Sequence, residues 1–170
     1  MDTGYLKGRF AEALVESIFR RAGYQVARTG RESQVHGLIR RGTAEFTPDF
    51  LLWRKVSEPN LHQLLAVEVK YRASISRFLG KEVEPLFEPI RAQWPNLYCV
   101  VVTDTPENGR SCFQAFNLRD WPYGSGSPEL VDLHKLTELD IFPATIAEYE
   151  GLVCSIFALL NHSQESGAVK

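Results

Sequence analysis

Residues 46–72 read FTPDFLLWRKVSEPNLHQLLAVEVKYR and contain two short acidic motifs, TPDF at 47–50 and VEVK at 67–70. An apolar run follows the first motif and another precedes the second, a pattern that predicts two strands with at least one buried face. A carboxylate buried in such a strand is costly unless it has a partner. The sequence therefore predicts that Asp49 and Glu68 bind a metal or another cation, or belong to a hydrogen-bond network.

The two strands are predicted to pair as a hairpin through the polar residues 54–63, with a turn at 58–60. Because side chains alternate along a strand, Glu68 and Lys70 share one face, while the other face carries Val67, Val69 and Tyr71. In such a hairpin Asp49 can lie beside Glu68. Two adjacent carboxylates next to an ammonium group form a site for a hard divalent cation such as Mg²⁺.

These motifs resemble the PD-(D/E)xK nuclease superfamily, in which two acids and a lysine form the catalytic core. The resemblance implies metal-dependent hydrolysis of phosphodiester bonds in DNA, with Asp49, Glu68 and Lys70 as catalytic residues. It also implies Mg²⁺ or Mn²⁺ as cofactor, held by Asp49, Glu68 and the carbonyl of Val69. Lys70 would contact the attacking water or the phosphate. Its role as a base stays open, because burial lowers the pKa of a lysine whereas nearby carboxylates raise it.

A second candidate site residue lies near the N-terminus, where residues 6–22 are predicted to form an amphipathic helix. The predicted apolar face carries Leu6, Phe10, Leu14 and Ile18. Glu12 falls at the margin of this face, and Glu16 falls further toward solvent. The spacing Gly8-x-x-x-Glu12 resembles the first motif of archaeal Holliday junction resolvases, in which a helical glutamate completes the acidic cluster. Glu12 is thus a candidate catalytic residue, and a solvated surface glutamate is the alternative.

The rest of the chain predicts an α/β protein. The expected elements are a strand at 24–28, a loop at 29–45, a helix at 81–94, a buried central strand at 97–103, an edge strand at 112–118, an exposed loop at 121–128, a core helix at 143–160 and a frayed tail at 161–170. The order helix-strand-strand-strand-helix-strand over residues 6–103 agrees with a restriction-endonuclease-like core, a mixed central sheet flanked by helices. The C-terminal edge strand and helix would be additions to that core.

Composition indicates one soluble domain over residues 1–160. With 44% hydrophobic residues among 170, the chain is long and apolar enough to bury a core. We expect no apolar run to approach the length of a membrane span, and no signal sequence is evident, so the predicted location is cytoplasmic, without a membrane partner. Three widely spaced cysteines indicate neither a disulfide framework nor a zinc site.

Charge is unevenly distributed. Residues 1–91 hold 15 Lys and Arg against 11 Asp and Glu, and residues 92–170 hold 4 against 10. A basic face beside acidic motifs suits a phosphate backbone. The candidate phosphate contacts are Arg28, Arg31, Arg40, Arg41 and Arg72, with Ser33 and His36 in the loop at 29–45. Gln93 is a candidate polar residue near the site, by resemblance to resolvase-like proteins.

Two other functions remain open on sequence grounds. One is a nucleic-acid-binding or interaction module that lacks catalysis, and the other is an α/β protein in which Asp49, Glu68 and Lys70 form a structural ion-pair network. The form of the DNA, which includes branched or structured substrates, stays open as well. So does a homodimer, for which the apolar final helix is a candidate interface.

Overall fold

A computed structural model describes residues 2–29, 46–55, 62–121, 124 and 126–165. They form an α/β fold around one open, mixed sheet of six strands in the order β1-β2-β3-β4-β5-β6. Neighbouring strands are antiparallel except β3 and β4, which are parallel. The strands are β1 (Gln25–Arg28), β2 (Phe50–Lys55), β3 (His62–Tyr71), β4 (Leu97–Val102), β5 (Phe113–Asn117) and β6 (Val131–Asp132).

Helices cover both faces of the sheet. Helix α1 (Thr3–Arg21) precedes β1, and the long helix α4 (Pro143–Glu165) follows β6. Between β3 and β4 the chain passes through α2 (Ile75–Arg77), a π-helical turn (Phe78–Glu82), α3 (Val83–Phe87) and a 3₁₀ turn (Glu88–Ile90). We call this stretch, residues 75–90, the crossover segment. It supplies the connection that a parallel strand pair requires.

Each face of the sheet has its own hydrophobic core. On one face, α1 and α4 bury side chains that include Val15, Phe19, Val153 and Phe157 against alternate residues of β3 and β4. On the other, the crossover segment packs against Cys99, Val101, Phe116 and Trp121. All six residues of β4 are buried, as expected for a central strand covered on both sides.

Helix α1 begins three residues before the predicted start at 6 and ends one residue before the predicted end at 22. The Asp2 carboxylate accepts a hydrogen bond from the backbone N–H of Gly4 (2.9 Å), which satisfies one donor of the first turn. At the other end Gly23 adopts φ 85°, a conformation that favours glycine. The buried face of α1 differs from the prediction, because Lys7 and Ala11 are buried while Phe10 is 38% exposed. Leu14 and Ile18 are buried as predicted, so the difference lies in the first half of the helix, where Lys7 binds Asp104 and Tyr71.

Several predicted boundaries require correction. The helix expected at 81–94 begins at Ile75 and is broken into short turns, since Pro85 and Pro89 each remove a backbone donor. The final helix continues to Glu165, through half of the predicted tail. Strand β5 is not an edge strand, because β6 pairs with Gln114 and Ala115.

Other predictions are confirmed to within a residue or two, namely β1, β2, the hairpin pairing of β2 with β3, β4 and β5. The expected hairpin turn at 58–60 lies outside the described residues, as does almost all of the loop at 29–45. Within the predicted exposed loop at 121–128, Trp121 is buried and its Nε1 donates to the Gly126 carbonyl (2.6 Å).

Residues Pro143–His162 are long and apolar enough to cross a membrane, with a mean hydropathy of 1.3. This corrects the expectation that no segment approaches such a length. Core helices of soluble proteins pass the same test, and one face of α4 is buried here through Ile146, Val153 and Phe157.

Candidate metal and catalytic site

Asp49 and Glu68 lie directly opposite each other on neighbouring strands. The register pairs Phe50 with Val67, so the next position along the hairpin places Asp49 against Glu68. The backbone N–H of Asp49 donates to Oε2 of Glu68 (3.2 Å). Directly opposed residues of an antiparallel pair project to the same face. The two acids of the sequence motifs are therefore adjacent.

The Asp49 carboxylate also takes over a backbone position of the sheet. Strand β3 extends past the first residue of β2. The N–H of Val69 therefore donates to Oδ2 of the Asp49 side chain (2.8 Å) and not to a backbone carbonyl of β2. The N–H and C=O of one residue in a strand point to the same neighbour. The Val69 carbonyl is thus directed toward the Asp49 side of β3, where the sequence predicts a third oxygen ligand.

Lys70 projects to the same face as Glu68 and its ammonium group donates to Oε1 of Glu68. Burial acts to lower the pKa of Lys70, but the charge of Glu68 and its hydrogen bond outweigh burial and raise that pKa. Lys70 is consequently an ammonium ion at neutral pH. In this arrangement it acts as a hydrogen-bond donor and a positive charge, and not as a base.

Glu68 is an acid held in an unfavourable environment. The residue is only 4% exposed. Burial, followed by the charge of Asp49, raises its pKa to about 7, and Lys70 offsets only part of this effect. A carboxyl group that titrates near neutral pH is short of positive charge. A second cation beside Glu68 and Asp49 would correct that shortage.

The donor set suits some metals and not others. Among the described residues there is no group of three or more His, Cys, Asp or Glu side chains placed to hold a metal ion. Zinc generally requires three or four such ligands. Mg²⁺ is commonly bound through one or two carboxylates and keeps several waters. Asp49, Glu68 and the Val69 carbonyl therefore fit Mg²⁺ or Mn²⁺ better than zinc.

Glu12 on α1 is within electrostatic reach of this site. Burial first, and then the charge of Asp49, raise the pKa of Glu12, and this outweighs the positive charges of Arg9, Arg28 and Lys70. Its carboxylate accepts a hydrogen bond from Arg9 (2.8 Å), and its side chain is 20% exposed. Asp49 and Lys70 thus act on Glu12 through their charges, without a hydrogen bond.

Glu16 is not further toward solvent than Glu12, which corrects the sequence prediction. Its side chain is 14% exposed and binds both Arg20 and Arg28. Arg20 from the same helix and Arg28 from β1 together cover the Glu16 carboxylate. A helical wheel cannot show this cover, because Arg28 belongs to β1.

Of the candidate phosphate contacts, the structure describes Arg28 and Arg72. Arg28 pairs with Glu16, keeps 44% of its side chain exposed and stacks over the Phe50 ring (5.7 Å). Arg72 donates to Glu82 (2.7 Å) and to the Tyr71 carbonyl (2.8 Å). Arg28 pairs with Phe50, the residue after Asp49, and Arg72 follows the end of β3, four residues after Glu68. The remaining candidates, Arg31, Arg40, Arg41, Ser33 and His36, lie outside the described residues.

Gln93 is exposed on the turn that follows the crossover segment, and its backbone N–H donates to Ile90 (3.1 Å). Within the described part of the chain, its side chain makes no hydrogen bond to Asp49, Glu68 or Lys70.

Sequence reasoning missed a buried cluster on the opposite face of β3. Lys7 is 6% exposed and donates to Asp104 (2.7 Å) and to the Tyr71 hydroxyl (2.9 Å). Tyr71 in turn donates to Asp104 (2.8 Å). We call these three residues the Lys7 triad. One signal was present: Lys7 occupies a core position of the helix, in step with Ala11, Leu14 and Ile18.

Comparison of the chain with family models, with curated proteins and with solved structures found no match in any of the three.

Proposed function

We propose that this protein is a Mg²⁺- or Mn²⁺-dependent nuclease that hydrolyses phosphodiester bonds of DNA. The observation that carries the proposal is the adjacency of Asp49 and Glu68, joined by the 3.2 Å hydrogen bond from Asp49 to Glu68, with Lys70 on the same face. Two acids brought together from separate strands, with one pKa raised to about 7, are typical of a functional site more than of a structural ion pair.

The architecture supports the same proposal. Helix α1, the antiparallel strands β1 to β3, the crossover segment and the parallel strand β4 follow the order expected of a restriction-endonuclease-like core. We propose that residues 3–102 form this core, and that β5, β6 and α4 extend it. Fold order alone does not define a chemistry, so the functional argument depends on the residues.

The chemistry is divided among four side chains and one carbonyl. When bound, the divalent cation supplies positive charge to the phosphoryl oxygens and lowers the pKa of water. Asp49, Glu68 and the Val69 carbonyl would hold it. Lys70, as an ammonium ion, donates a hydrogen bond to the phosphate or orients the attacking water. Glu12, coupled to Asp49, would accept a hydrogen bond from a water on the α1 side of the site.

Substrate positioning is assigned to arginines. Arg28 is partly exposed and lies in β1, beside the β2 strand that begins with Phe50. Arg72 follows β3 directly after the site residues. Guanidinium groups match phosphate geometry in a bidentate manner. Arg31, Arg40 and Arg41 are proposed as further phosphate contacts on sequence grounds.

One observation favours a second candidate function, a nucleic-acid-binding module without turnover. Lys70 is already bound to Glu68, and Arg9 is bound to Glu12, so both carboxylates have an ion-pair partner without a metal ion. In that case the arginines would still bind DNA, but the ion pair of Lys70 with Glu68 would serve only to stabilise strand β3.

A cleavage assay separates these functions. Labelled duplex, single-stranded and four-way-junction DNA, and RNA as a further substrate, would be incubated with the parent protein and Mg²⁺, Mn²⁺ or chelator. We expect cation-dependent cleavage that is lost in Asp49→Asn and Lys70→Ala and kept in Glu84→Gln, an exposed control. Equal cleavage by the parent and Asp49→Asn contradicts the mechanism. DNA binding without cleavage by the parent under every condition identifies the binding module.

A further inference from the structure

Helix α4 carries an exposed apolar stripe that the rest of the described fold does not cover. Leu159 is 70% exposed and Leu152 is 41% exposed, although both belong to a helix whose other face is fully buried. With 100° per residue, the exposed positions between 148 and 162 that lie within about 60° of Ser155 define one face. We call this face the α4 stripe; it consists of Glu148, Gly151, Leu152, Ser155, Ala158, Leu159 and His162.

We propose that the α4 stripe is the contact between two copies of this chain, which pair through antiparallel α4 helices about a two-fold axis at Ser155. This interface is independent of the proposed nuclease activity.

The side chains of the stripe are self-complementary about that axis. Rotation about Ser155 places Leu159 of one protomer against Gly151 of its partner, and Leu152 against Ala158. Each large apolar side chain thus meets a small residue. Small residues let two helices approach closely, to the axial separation of about 8–10 Å that packed helices show. An isologous contact requires this property, since the same patch must fit itself.

Polar groups at the two ends of the stripe also meet in the same register. Rotation about Ser155 brings Glu148 of one protomer to the partner's His162. Glu148 keeps 60% of its side chain exposed while it pairs with Arg21, so it can accept a further donor. At the centre, the Ser155 hydroxyl donates to the Gly151 carbonyl of its own helix (2.8 Å). The middle of the stripe therefore presents no polar group that needs water.

A second copy fits this face better than a lipid surface does. Helices that lie on membranes carry Lys and Arg on their polar side. Pro143–Glu165 contains neither, and its charged residues include Glu148 and Glu150. The opposite face is held in the core by Ile146, Val153 and Phe157, so α4 cannot leave the fold to span a bilayer without unfolding it.

The interface is short, which sets the expected affinity. From Glu148 to His162 the stripe measures about 21 Å along the helix. Contacts of this size lie at the weak end of specific interfaces, so a dissociation constant of about 1–100 μM is expected.

Sedimentation velocity on the full chain tests the proposal, without cation or nucleic acid. The parent protein should shift from monomer to dimer between about 1 and about 200 μM. Leu159→Glu should weaken the association at least about tenfold. The matched control is Leu64→Glu, because Leu64 is 68% exposed but lies on β3, on the sheet face opposite α4. A parent that stays monomeric over this range, or an equal effect of Leu64→Glu, overturns the proposal.

Cross-linking tests the register. In a Cys154→Ser background, where the other cysteines Cys99 and Cys112 are buried, Ser155→Cys should form an intermolecular disulfide under mild oxidation. Leu159→Cys should not, because the two copies of that position lie about 12 Å apart along the axis. Faster cross-linking of Leu159→Cys overturns the proposed pairing. Co-sedimentation of monomeric parent protein, but not of Leu159→Glu, with phosphatidylcholine–phosphatidylserine vesicles overturns it in favour of a membrane.

Discussion

Asp49 donates its backbone N–H to the carboxylate of Glu68 at 3.2 Å, and its own carboxylate accepts the N–H of the residue after Glu68. The two acids are thus locked to each other by backbone as well as side-chain groups. Such locking fixes two carboxyl groups side by side before any ligand arrives. A site of this kind gains stability when a cation binds, since the repulsion is then relieved.

Divalent cations should therefore stabilise the folded chain, and more at high pH. Because the pKa of Glu68 is raised to about 7, this carboxyl is largely protonated at pH 6 and largely ionised at pH 8. Addition of Mg²⁺ or Mn²⁺ in millimolar excess should raise the melting temperature more at pH 8 than at pH 6. Differential scanning fluorimetry measures this. Glu68→Gln should abolish the cation effect at both pH values, whereas Glu84→Gln should preserve it.

Replacement of the residues of the acidic site should affect cleavage to different degrees. We expect a loss of about 10²-fold or more in rate for Lys70→Ala, since it removes a donor to developing charge. Glu12→Gln should cost less, about tenfold, because Glu12 acts on Asp49 from α1 without touching it. Single-turnover rates on the best substrate provide the measurement. A rate for Glu12→Gln equal to that of the parent removes Glu12 from the site.

Arg28 and Arg72 should contribute to DNA affinity through phosphate contacts. Each of Arg28→Ala and Arg72→Ala should weaken binding uniformly across sequences and reduce the salt slope of binding by about one. Fluorescence anisotropy at a series of salt concentrations gives the slope. Arg119→Ala, which removes a 62% exposed arginine paired with Asp120, is the matched control. Identical slopes for the control and Arg72→Ala would show that Arg72 serves only its ion pair with Glu82.

The Lys7 triad should be important for stability. Lys7→Met leaves the Asp104 carboxylate, 12% exposed, without its ammonium partner, so the free energy of unfolding should fall by about 3 kcal/mol. Urea denaturation measures this loss. In the double variant Lys7→Met with Asp104→Leu, more than half of it should return, because no buried charge is then left alone. If the double variant is as unstable as the single one, packing and not charge explains the effect.

Acid should weaken the end of the sheet at Asp132. Burial acts to raise the pKa of Asp132, but hydrogen bonds from Lys135, Arg110 and the Ser111 backbone outweigh it and lower that pKa to about 2. The ionised form is favoured by folding, so its stabilisation is present above the unfolded-state pKa of about 3.9 and is lost as the pH falls through about 2.

Asp132→Asn should therefore cost about 2 kcal/mol at pH 6, and the difference from the parent should shrink below pH 4. Chemical denaturation at several pH values tests this. Asp120→Asn, at a 64% exposed position, should change stability little at any pH. A constant difference between Asp132→Asn and the parent down to pH 2 contradicts the assignment.

Elements with a clear period were predictable from sequence. The apolar stripe of α1 and the run at 97–102 gave a helix and a buried strand, and the two acidic motifs predicted the hairpin that joins Asp49 to Glu68. The two-residue strand Val131–Asp132 has no period to detect. The crossover segment was misplaced because Pro85 and Pro89 divide it into turns of different pitch.

The parts of the candidate site that lie close together in the sequence were predictable, and those that lie far apart in the sequence were not. Glu68 and Lys70 share a face through simple alternation. Lys7, Tyr71 and Asp104 come together only through the packing of α1 across β3 and β4, which no spacing in the sequence encodes. The fate of Glu16 was missed for the same reason, since its partner Arg28 arrives from another element.

The pairing of β2 with β3 decides more than stability. A shift of one residue along this ladder would keep most backbone hydrogen bonds but turn Asp49 to the opposite side of the sheet from Glu68. The strands β2 and β3 would still form a hairpin, but Asp49 and Glu68 would no longer be adjacent. Insertion of a single residue within β2 should therefore keep the fold of this chain while it separates Asp49 from Glu68, so the strand register decides whether the site can form.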